Sequence, residues 1–575
     1  MTTVARMIVT ALADAGVKDI WGVVGDALNP VTDAIRTEDR VEWIGVRHEE
    51  TGAFAASAQA QLTGRLAVCM GTVGPGSLHL LNGLYDAKKS HAPVLAVCGQ
   101  VPLAELGSDF FQEVDNDQVF NDVAVYSRTI SSPEQAPYLL EQAVNAAYAH
   151  QGVAVVSLPG DVGGQKVPSS APPPAFIDSQ PVTMPPPNDL AAAAALLNDA
   201  GSVTMLVGQG AREARDVVLE TADTLGAPMV LTLKAKERLE EENPFEVGQS
   251  GLIGNPAAQT AFEECDVLFM VGTDFPYRDW YPEGKTVIQI DAKGQHIGRR
   301  TRVSLGLVGH AEPTLRALSP LLMDQGDRGH LQKARHEYET WRERQSHLAD
   351  PNYEHERLGA IRKAFDNPTH SIRPEALAAA VDRHAADDAI FTTDTGMSTV
   401  WLSRFVRMRG TRRLIGSFNL GSMANAMPQA LGASALDRSR QVVAFCGDGG
   451  LTMLLGDIIT AVTYDLPVVL VVFDNRSLGM VRLEQEQGGL PYFGTELANP
   501  DLAEVARACG LHGIRVEKPE ELDAAVATAL NHDGPVLLDV ITNPEEVSLP
   551  GRVTASDAWG FAIAKVQETV RSARS

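Results

Sequence analysis

The sequence predicts an α/β protein built from three doubly wound, parallel-sheet domains. With 575 residues, the chain is too long for one hydrophobic core. Short apolar runs alternate with helical patterns along its length, and runs without polar alternation are typical of strands covered on both faces. The runs predicted as buried strands are Leu66–Met70, Val94–Cys98 and Val153–Leu158, then Val203–Val207, Met229–Leu233, Val267–Val271 and Val287–Ile290, and finally Ala389–Thr392, Val442–Cys446, Val468–Phe473 and Val536–Val540.

Two joins separate the three blocks of strands. Prolines crowd the segment Val167–Asn188, and such density excludes a helix interior or a central strand. Around Asp324–Arg373 a charged helical pattern is followed by a loop through Asp350–His370. The predicted organisation is a first domain (1–170), a linker (171–188), a central domain (189–340), a connector (341–372), a third domain (373–550) and a C-terminal tail (551–575).

Composition limits the partners and the location. The net charge of −25, from 48 basic and 73 acidic residues, repels phosphate backbones, so no nucleic-acid partner is expected. Five scattered cysteines predict free thiols in a reducing cytoplasm. Residues Met1–Val17 have helical spacing without the features of a signal peptide, and no eighteen apolar residues run together. We therefore expect a cytoplasmic protein.

A candidate metal site follows two neighbouring strand patterns of the third block. Gly447-Asp448-Gly449 closes one run and Asn475 closes the next. Because parallel strands end at one edge of a sheet, these polar groups should meet there. Carboxylate and amide oxygens suit Mg²⁺, and glycines let the backbone approach a diphosphate. Taken alone, Gly-Asp-Gly is a common turn; the spacing to Asn475 favours the site.

An acidic pair, Glu49-Glu50, precedes a run of small residues, Ala53–Ala58. By composition alone, such a pair more often compensates the helix dipole on a surface. The small side chains would permit close packing against another subunit or a ligand.

The central block carries a weaker nucleotide pattern. Gly208-Gln209-Gly210 follows one strand, Gly272–Tyr277 follows another, and Asp291 closes a third. Glycines suit a phosphate-binding turn, and a carboxylate at a strand end can accept hydrogen bonds from a ribose.

Together, these motifs resemble the thiamine-diphosphate enzymes, although Asp474 stands where that family has an asparagine. Nearly the whole chain is similar to the pyruvate oxidase family, especially its quinone-reducing members. The stretches that carry this resemblance are Ser250–Gly254, Thr273–Tyr277, Gly416–Asn419, Ser422–Pro428 and Gly510–Val516.

The resemblance implies pyrimidine-binding, FAD-binding and diphosphate-binding roles for the first, central and third domains. It makes Glu49, which follows Arg47-His48, the carboxyl that activates the cofactor. The other implied catalytic residues are His79, Phe111 and Gln112. The implied Mg²⁺ ligands are Asp448, Asn475 and the main-chain oxygen of Ser477. The implied thiamine diphosphate contacts are Gly421, Ser422, Met423, Asp448, Gly449, Gly450, Asn475, Leu478, Gly479, Met480 and Val481. The implied FAD contacts are Ser250, Gly251, Leu252, Ile253, Thr273, Asp274, Phe275, Pro276, Tyr277 and Asp291.

The implied reaction is oxidative decarboxylation of pyruvate to acetate and CO₂, with electrons passing through FAD to a quinone. The implied assembly is a homo-oligomer, a dimer at least and usually a tetramer. Three alternatives stay open: a phosphate- and oxygen-dependent pyruvate oxidase, which the loop Phe111–Arg128 resembles; an acetolactate-synthase-like carbon–carbon ligase with structural FAD; and a catalytically silent relative.

Two departures from the quinone-reducing members bear on the acceptor. Met480 stands where those members have an aromatic residue, and from the sequence up to Ser575 we expect the amphipathic C-terminal peptide of the membrane-activated members to be missing. The short pattern Phe561–Val570 predicts a packed or frayed terminus, so membrane association is expected to be at most peripheral, at the inner face of the cell membrane.

Overall fold

The computed structural model describes residues 2–350, 367 and 371–546, and it contains three fully parallel sheets. The strands are β1 Asp19–Gly22, β2 Glu42–Gly45, β3 Ala67–Gly71, β4 Val94–Gln100, β5 Ala124–Thr129, β6 Val153–Pro159, β7 Val203–Val207, β8 Met229–Leu231, β9 Val267–Val271, β10 Thr286–Asp291, β11 Leu305–Val308, β12 Ile390–Thr393, β13 Arg413–Gly416, β14 Val442–Gly447, β15 Val468–Asp474, β16 His512–Val516 and β17 Val536–Ile541. The first and third sheets share one strand order, β2-β1-β3-β4-β6-β5 and β13-β12-β14-β15-β17-β16, and the central order is β11-β10-β9-β7-β8.

Helices connect successive strands and cover the sheets. The α-helices are Val4–Asp14, Asn29–Arg36, Glu49–Thr63, Pro75–His79, Leu81–Lys89, Asn116–Val119, Ala136–His150, Pro187–Asn198, Arg215–Thr224, Lys236–Leu239, Pro256–Glu264, Ala311–Leu318, Gly329–Ala349, Pro374–His384, Met397–Phe405, Ala426–Leu436, Asp448–Met453, Ile458–Thr463, Gly479–Gln487, Leu502–Ala508 and Leu522–Leu530. None of the helices in the described residues is long and apolar enough to cross a membrane. The predicted fold class, three parallel-sheet α/β domains, is confirmed.

The joins between domains differ in detail from the prediction. A helix begins at Pro187, inside the predicted linker, because proline is tolerated in the first turn of a helix. The charged helix Gly329–Ala349 is present, and it runs across the predicted boundary at residue 340. Most of the predicted loop 350–370 and all of the pattern 561–570 lie outside the described residues.

The first and third domains share one hydrophobic core within the chain. The small-residue helix Glu49–Thr63 packs against helix Ala426–Leu436, where a Cβ on Gly432 would lie 2.3 Å from the Ala55 carbonyl oxygen. Gln59 Nε2 donates to the Gly432 carbonyl at 3.2 Å. The close packing expected of this helix is therefore made, in the described chain, with its own third domain.

Candidate active site

The carboxyl ends of three strands in the third domain bring together three buried aspartates. Asp394 follows β12, Asp448 follows β14 and Asp474 ends β15. Asn499 Nδ2 links the last two, because it donates to Asp448 Oδ2 at 2.7 Å and to Asp474 Oδ1 at 2.9 Å. Burial and the nearby charge of Asp474 raise the pKa of Asp448. A neighbouring cation would therefore stabilise the ionised form of Asp448.

The donors beside these aspartates fit a hard divalent cation. Asn475 directly follows β15, and its Oδ1 accepts the Ser477 amide at 3.0 Å. Buried oxygens without a hydrogen-bond partner here are Asp474 Oδ2, Ser477 Oγ and Thr495 Oγ1. Oxygen ligands of this kind suit Mg²⁺, with Asp448, Asn475 and the Ser477 carbonyl as the residues that could hold it. Asp474 stands where the resembled family has an asparagine, but the next residue, Asn475, is still present as a possible ligand.

The predicted diphosphate-contacting residues surround Gly449. A Cβ at this position would lie 3.0 Å from a Leu478 methyl group and 3.4 Å from Met423 Cε, so any larger residue would push these side chains aside. Gly450 is similarly constrained by Asp394 Oδ2, at 2.2 Å from a built Cβ. Gly479 lies beside Asn475, with a built Cβ 3.2 Å from Nδ2.

Asp394 belongs to this region although the sequence analysis missed it. Its Oδ1 accepts the Ala426 amide at 2.9 Å and its Oδ2 accepts the Gly447 amide at 3.2 Å. Burial raises the pKa of Asp394 to about 7. It thus fixes the turn that presents Asp448 at the switch point between β12 and β14. An acidic residue at the end of a predicted strand was the available signal.

Glu49 is a buried carboxylate at the first turn of its helix. Its Oε2 lies 2.9 Å from His79 Nδ1, and the His79 ring stacks on His48 with centroids 4.4 Å apart. A Cβ at Gly76 would lie 3.0 Å from Glu49 Oε1, so that oxygen faces a glycine. This desolvated setting suits a carboxyl that must make one strong hydrogen bond, and it differs from the exposed, dipole-compensating position that composition alone favours.

The third domain holds the segment that precedes Glu49. Asp457 accepts the Arg47 amide at 2.7 Å, the His48 amide at 3.1 Å and the Thr51 hydroxyl at 2.7 Å. Since Asp457 is itself buried, this contact sets the position of the Glu49 helix relative to the third sheet.

The predicted loop residues of the first domain lie by the turn before His79. Gln112 adopts a left-handed backbone conformation, and its carbonyl oxygen would lie 2.7 Å from a Cβ on Gly74. The neighbouring Phe111 side chain is 78% exposed. Ser422 of the third domain accepts from Asn82 Nδ2 at 3.0 Å, while Val481 on helix Gly479–Gln487 is exposed.

A cavity of about 800 Å³ opens at the carboxyl ends of the central strands. Nine of the ten predicted FAD residues line it: Ser250, Leu252, Ile253, Thr273, Asp274, Phe275, Pro276, Tyr277 and Asp291. The tenth, Gly251, has φ +87° and packs against the rings of Phe275 and Tyr277. Gly421 and Met480 of the third domain also line the cavity, and so do Lys89–His91 of the first. The cavity therefore reaches from the central strand ends to the third-domain site.

The cavity fits a dinucleotide. Gly208 and Gly210 lie at the crevice between β7 and β9, where the Gly208 amide donates to the Val271 carbonyl and the Gly210 amide to the Gly272 carbonyl, both at 2.9 Å. Among the lining side chains, Gln249 Nε2 and Ser250 Oγ are buried without a hydrogen-bond partner. Asp291 Oδ1 lies 3.3 Å from His296 Nδ1 at the end of β10. The crevice between β7 and β9 is the topological switch point of the central sheet, where open α/β sheets bind nucleotides.

Three family models match the chain, one for each sheet. They describe the N-terminal TPP binding domain (residues 2–119), the central domain (190–318) and the C-terminal TPP binding domain (394–540) of thiamine pyrophosphate enzymes, thiamine pyrophosphate being the same compound as thiamine diphosphate.

Full-length relatives match as well. A thiamine pyrophosphate-containing protein of Bacillus subtilis, YdaP, is 38% identical over 97% of this chain and 95% of its own length. A pyruvate oxidase of Lactiplantibacillus plantarum is 31% identical, covering 93% of this chain and 87% of the relative. An acetolactate synthase large subunit of Parasynechococcus marenigrum is also 31% identical with the same coverage.

Proposed function

Because this chain belongs to the thiamine pyrophosphate enzyme family, we propose that it oxidatively decarboxylates pyruvate and passes the electrons through FAD to a quinone. Pyruvate and water would give acetate, CO₂, two protons and two electrons, and the quinone would take up the electrons and protons to become a quinol. The observation that carries the proposal is the single cavity that joins the predicted FAD residues to Gly421 and Met480.

Residues of the chain would divide the work as follows. Asp448, Asn475 and the Ser477 carbonyl would hold Mg²⁺ against the cofactor's diphosphate. Glu49, positioned by His79, would hold a proton at the pyrimidine ring. When bound, thiamine diphosphate supplies the nucleophilic carbon and the electron sink for loss of CO₂, and FAD accepts the electron pair.

The assembly forms part of the same proposal. Phe111, itself assigned to catalysis, in the first domain and Phe493, whose amide donates to Gln485 Oε1 at 2.9 Å, in the third are 78% and 76% exposed. Exposed aromatic side chains in both the first and the third domain support a homo-oligomer, a dimer or a tetramer, in which a second copy of the chain covers them. We propose a cytoplasmic enzyme whose contact with membranes, where it meets a quinone, is peripheral.

Acetolactate synthesis is the second candidate, favoured by a relative of that name at the same identity as the pyruvate oxidase. In that reaction the two-carbon unit from pyruvate joins a second keto acid, and FAD stays oxidised. Both reactions need the thiamine site, so the fate of the flavin distinguishes them.

The test is anaerobic addition of pyruvate to protein loaded with thiamine diphosphate, Mg²⁺ and FAD, followed by flavin absorbance. Rapid bleaching, reversed quickly by a soluble quinone and slowly by air, is the expected result. Rapid reversal by air with peroxide and acetyl phosphate would identify the phosphate- and oxygen-dependent oxidase instead.

Two further outcomes contradict the proposal. An oxidised flavin with accumulating acetolactate would establish the ligase, and an oxidised flavin with unchanged pyruvate would establish a silent relative. Protein carrying Glu49→Gln provides the control, because its flavin should stay oxidised on the same timescale.

A further inference from the structure

Lys234 lies in the cavity wall at the point where the three domains meet. Its Nζ donates to Gln61 Oε1 at 3.2 Å and to Ser90 Oγ at 3.3 Å, both in the first domain. The same ammonium group lies 5.9 Å from the ring centroid of Phe418 in the third domain. A cation is thus held by groups of the first domain and lies close to an aromatic ring of the third.

A buried carboxylate supports this cation. Asp86 is fully buried, and its Oδ2 accepts Ser57 Oγ at 2.8 Å and Gln429 Nε2 at 3.1 Å. Gln61 bonds to both sides of the network, because its Nε2 donates to Asp86 Oδ2 at 3.4 Å while its Oε1 accepts from Lys234. Desolvation lowers the pKa of Lys234 to about 8 and raises that of Asp86, while the attraction between the two groups opposes both shifts. At neutral pH the amine therefore stays mostly charged.

The position of Lys234 along the cavity identifies the part of the cofactor that it meets. Gly210 after β7 and Asp291 at the end of β10 both line the cavity, where the absence of a side chain at Gly210 leaves room for a diphosphate and the Asp291 carboxylate suits a ribose. Electrons must arrive from the thiamine site, whose residues Gly421 and Met480 line the opposite end. The ring of a bound flavin belongs at that end, and Lys234 lies there beside Phe418.

We propose that the ammonium group of Lys234 lies beside the flavin ring and raises the flavin's reduction potential, with Asp86 and Gln61 as its positioning residues. This inference rests on FAD binding, as in the proposed function. A flavin that takes up two electrons and one proton gains negative charge, and a cation held in a low-dielectric wall stabilises that charge more than it would in water. The chain would thereby favour electron transfer from the thiamine site to the flavin.

The test measures the flavin in the FAD-loaded protein without pyruvate. Lys234→Met removes the charge with little change in size, Lys234→Gln keeps a polar end, and Lys234→Arg keeps the charge. Lys293→Met is the matched control, since Lys293 lines the same cavity beside Asp291 and donates to the His150 carbonyl at 3.0 Å. Reduction potentials come from an anaerobic spectroelectrochemical titration, and sulfite affinity provides a second measure of electron deficiency at the ring.

We expect Lys234→Met and Lys234→Gln to shift the potential to more negative values and to weaken sulfite binding by roughly tenfold or more. Lys234→Arg should restore most of both properties, whereas Lys293→Met should weaken FAD retention without moving the potential. Equal potentials in wild type and the two uncharged Lys234 variants would overturn the inference. So would a shift in Lys293→Met as large as in Lys234→Met. A wild-type protein that binds no FAD would overturn the proposed function and this inference with it, while normal bleaching by pyruvate with unshifted Lys234 variants would overturn this inference alone.

Discussion

Two regions of this molecule lie at equivalent switch points of parallel sheets, and they present different groups to the diphosphates that the proposed function assigns to them. The third-domain site surrounds its glycines with buried aspartates, Asp394, Asp448 and Asp474. The central cavity instead has basic side chains in its lining, among them Arg212 and Lys293, although Asp274 and Asp291 line it as well. Under the proposed function, the third-domain site would need a divalent cation between its carboxylates and a phosphate group, whereas the basic side chains of the central cavity would meet a phosphate directly.

If the chain binds both cofactors as proposed, this difference would explain how one type of sheet serves each of them. Strand order places a crevice at each switch point, and the residues just after the strands decide what the crevice accepts. The two regions also differ in how far a single chain covers their side chains. Residues of all three domains of one chain line the cavity, whereas Phe111, next to Gln112 in the first domain, and Phe493, against Gln485 in the third, are exposed.

The largest expected effect separates chemistry from cofactor binding. Glu49→Gln should lower turnover by roughly 10²–10⁴-fold, because the amide cannot hold the proton that the carboxyl would hold. Binding of thiamine diphosphate and of FAD should persist, measured by fluorescence quenching and by the flavin spectrum. Glu50→Gln is the matched control, since Glu50 accepts a hydrogen bond from Asn82 Nδ2 at 2.7 Å. The loss of turnover in this variant should be smaller than that in Glu49→Gln by a factor of about ten or more. Comparable losses in both variants would contradict the assignment of Glu49.

A crossed pair of variants tests the two modes of binding a diphosphate. Asp448→Ala should weaken Mg²⁺-dependent binding of thiamine diphosphate by at least about 100-fold while FAD stays bound, because it removes a metal ligand from the third domain only. Asp291→Ala should do the reverse, lowering the retention of FAD with normal binding of thiamine diphosphate. The measurements are titration calorimetry for thiamine diphosphate and gel filtration for FAD. Loss of both cofactors in either variant would show a shared structural defect and contradict the separation of the two sites.

The parts of the fold that the sequence predicted are those in which burial is local and complete. Central strands such as β7 and β9 are apolar throughout because helices cover both faces, and their predicted bounds match the structure. Five of the six strands that were missed lie at sheet edges, where polar residues face solvent, as in β2 with its exposed Glu42. The sixth, β1, has only four residues, with an aspartate and a glycine at its ends, so it forms no apolar run.

The residues of the candidate sites also divide into those with a local sequence signal and those whose position depends on the folded chain. The positions of Asp448 and Asn475 at neighbouring strand ends could be predicted because a short motif follows each strand, while their role as metal ligands stays a prediction. Asp394 had only a strand end as a signal, since its hydrogen bonds to the Ala426 and Gly447 amides depend on the folded sheet. Lys234 had no signal at all, because its neighbours are contributed by segments more than 140 residues away on either side.

The smallest expected effect is a pH dependence that only the cation-dependent site should show strongly. Burial raises the pKa of Asp394 to about 7 and also raises that of Asp448. A raised carboxyl pKa means that the metal-free protein loses stability as pH rises from about 4 to 7, because the buried groups ionise there only at a cost. Mg²⁺ requires the ionised form of Asp448, so one linked proton should weaken its binding by roughly tenfold between pH 8 and pH 6. Thiamine diphosphate titrations at fixed Mg²⁺ measure this change, and Asp448→Asn, which cannot titrate, should flatten it. FAD retention, which needs no cation, should change less over the same range; an equal change would mean that both regions bind their diphosphate in the same way.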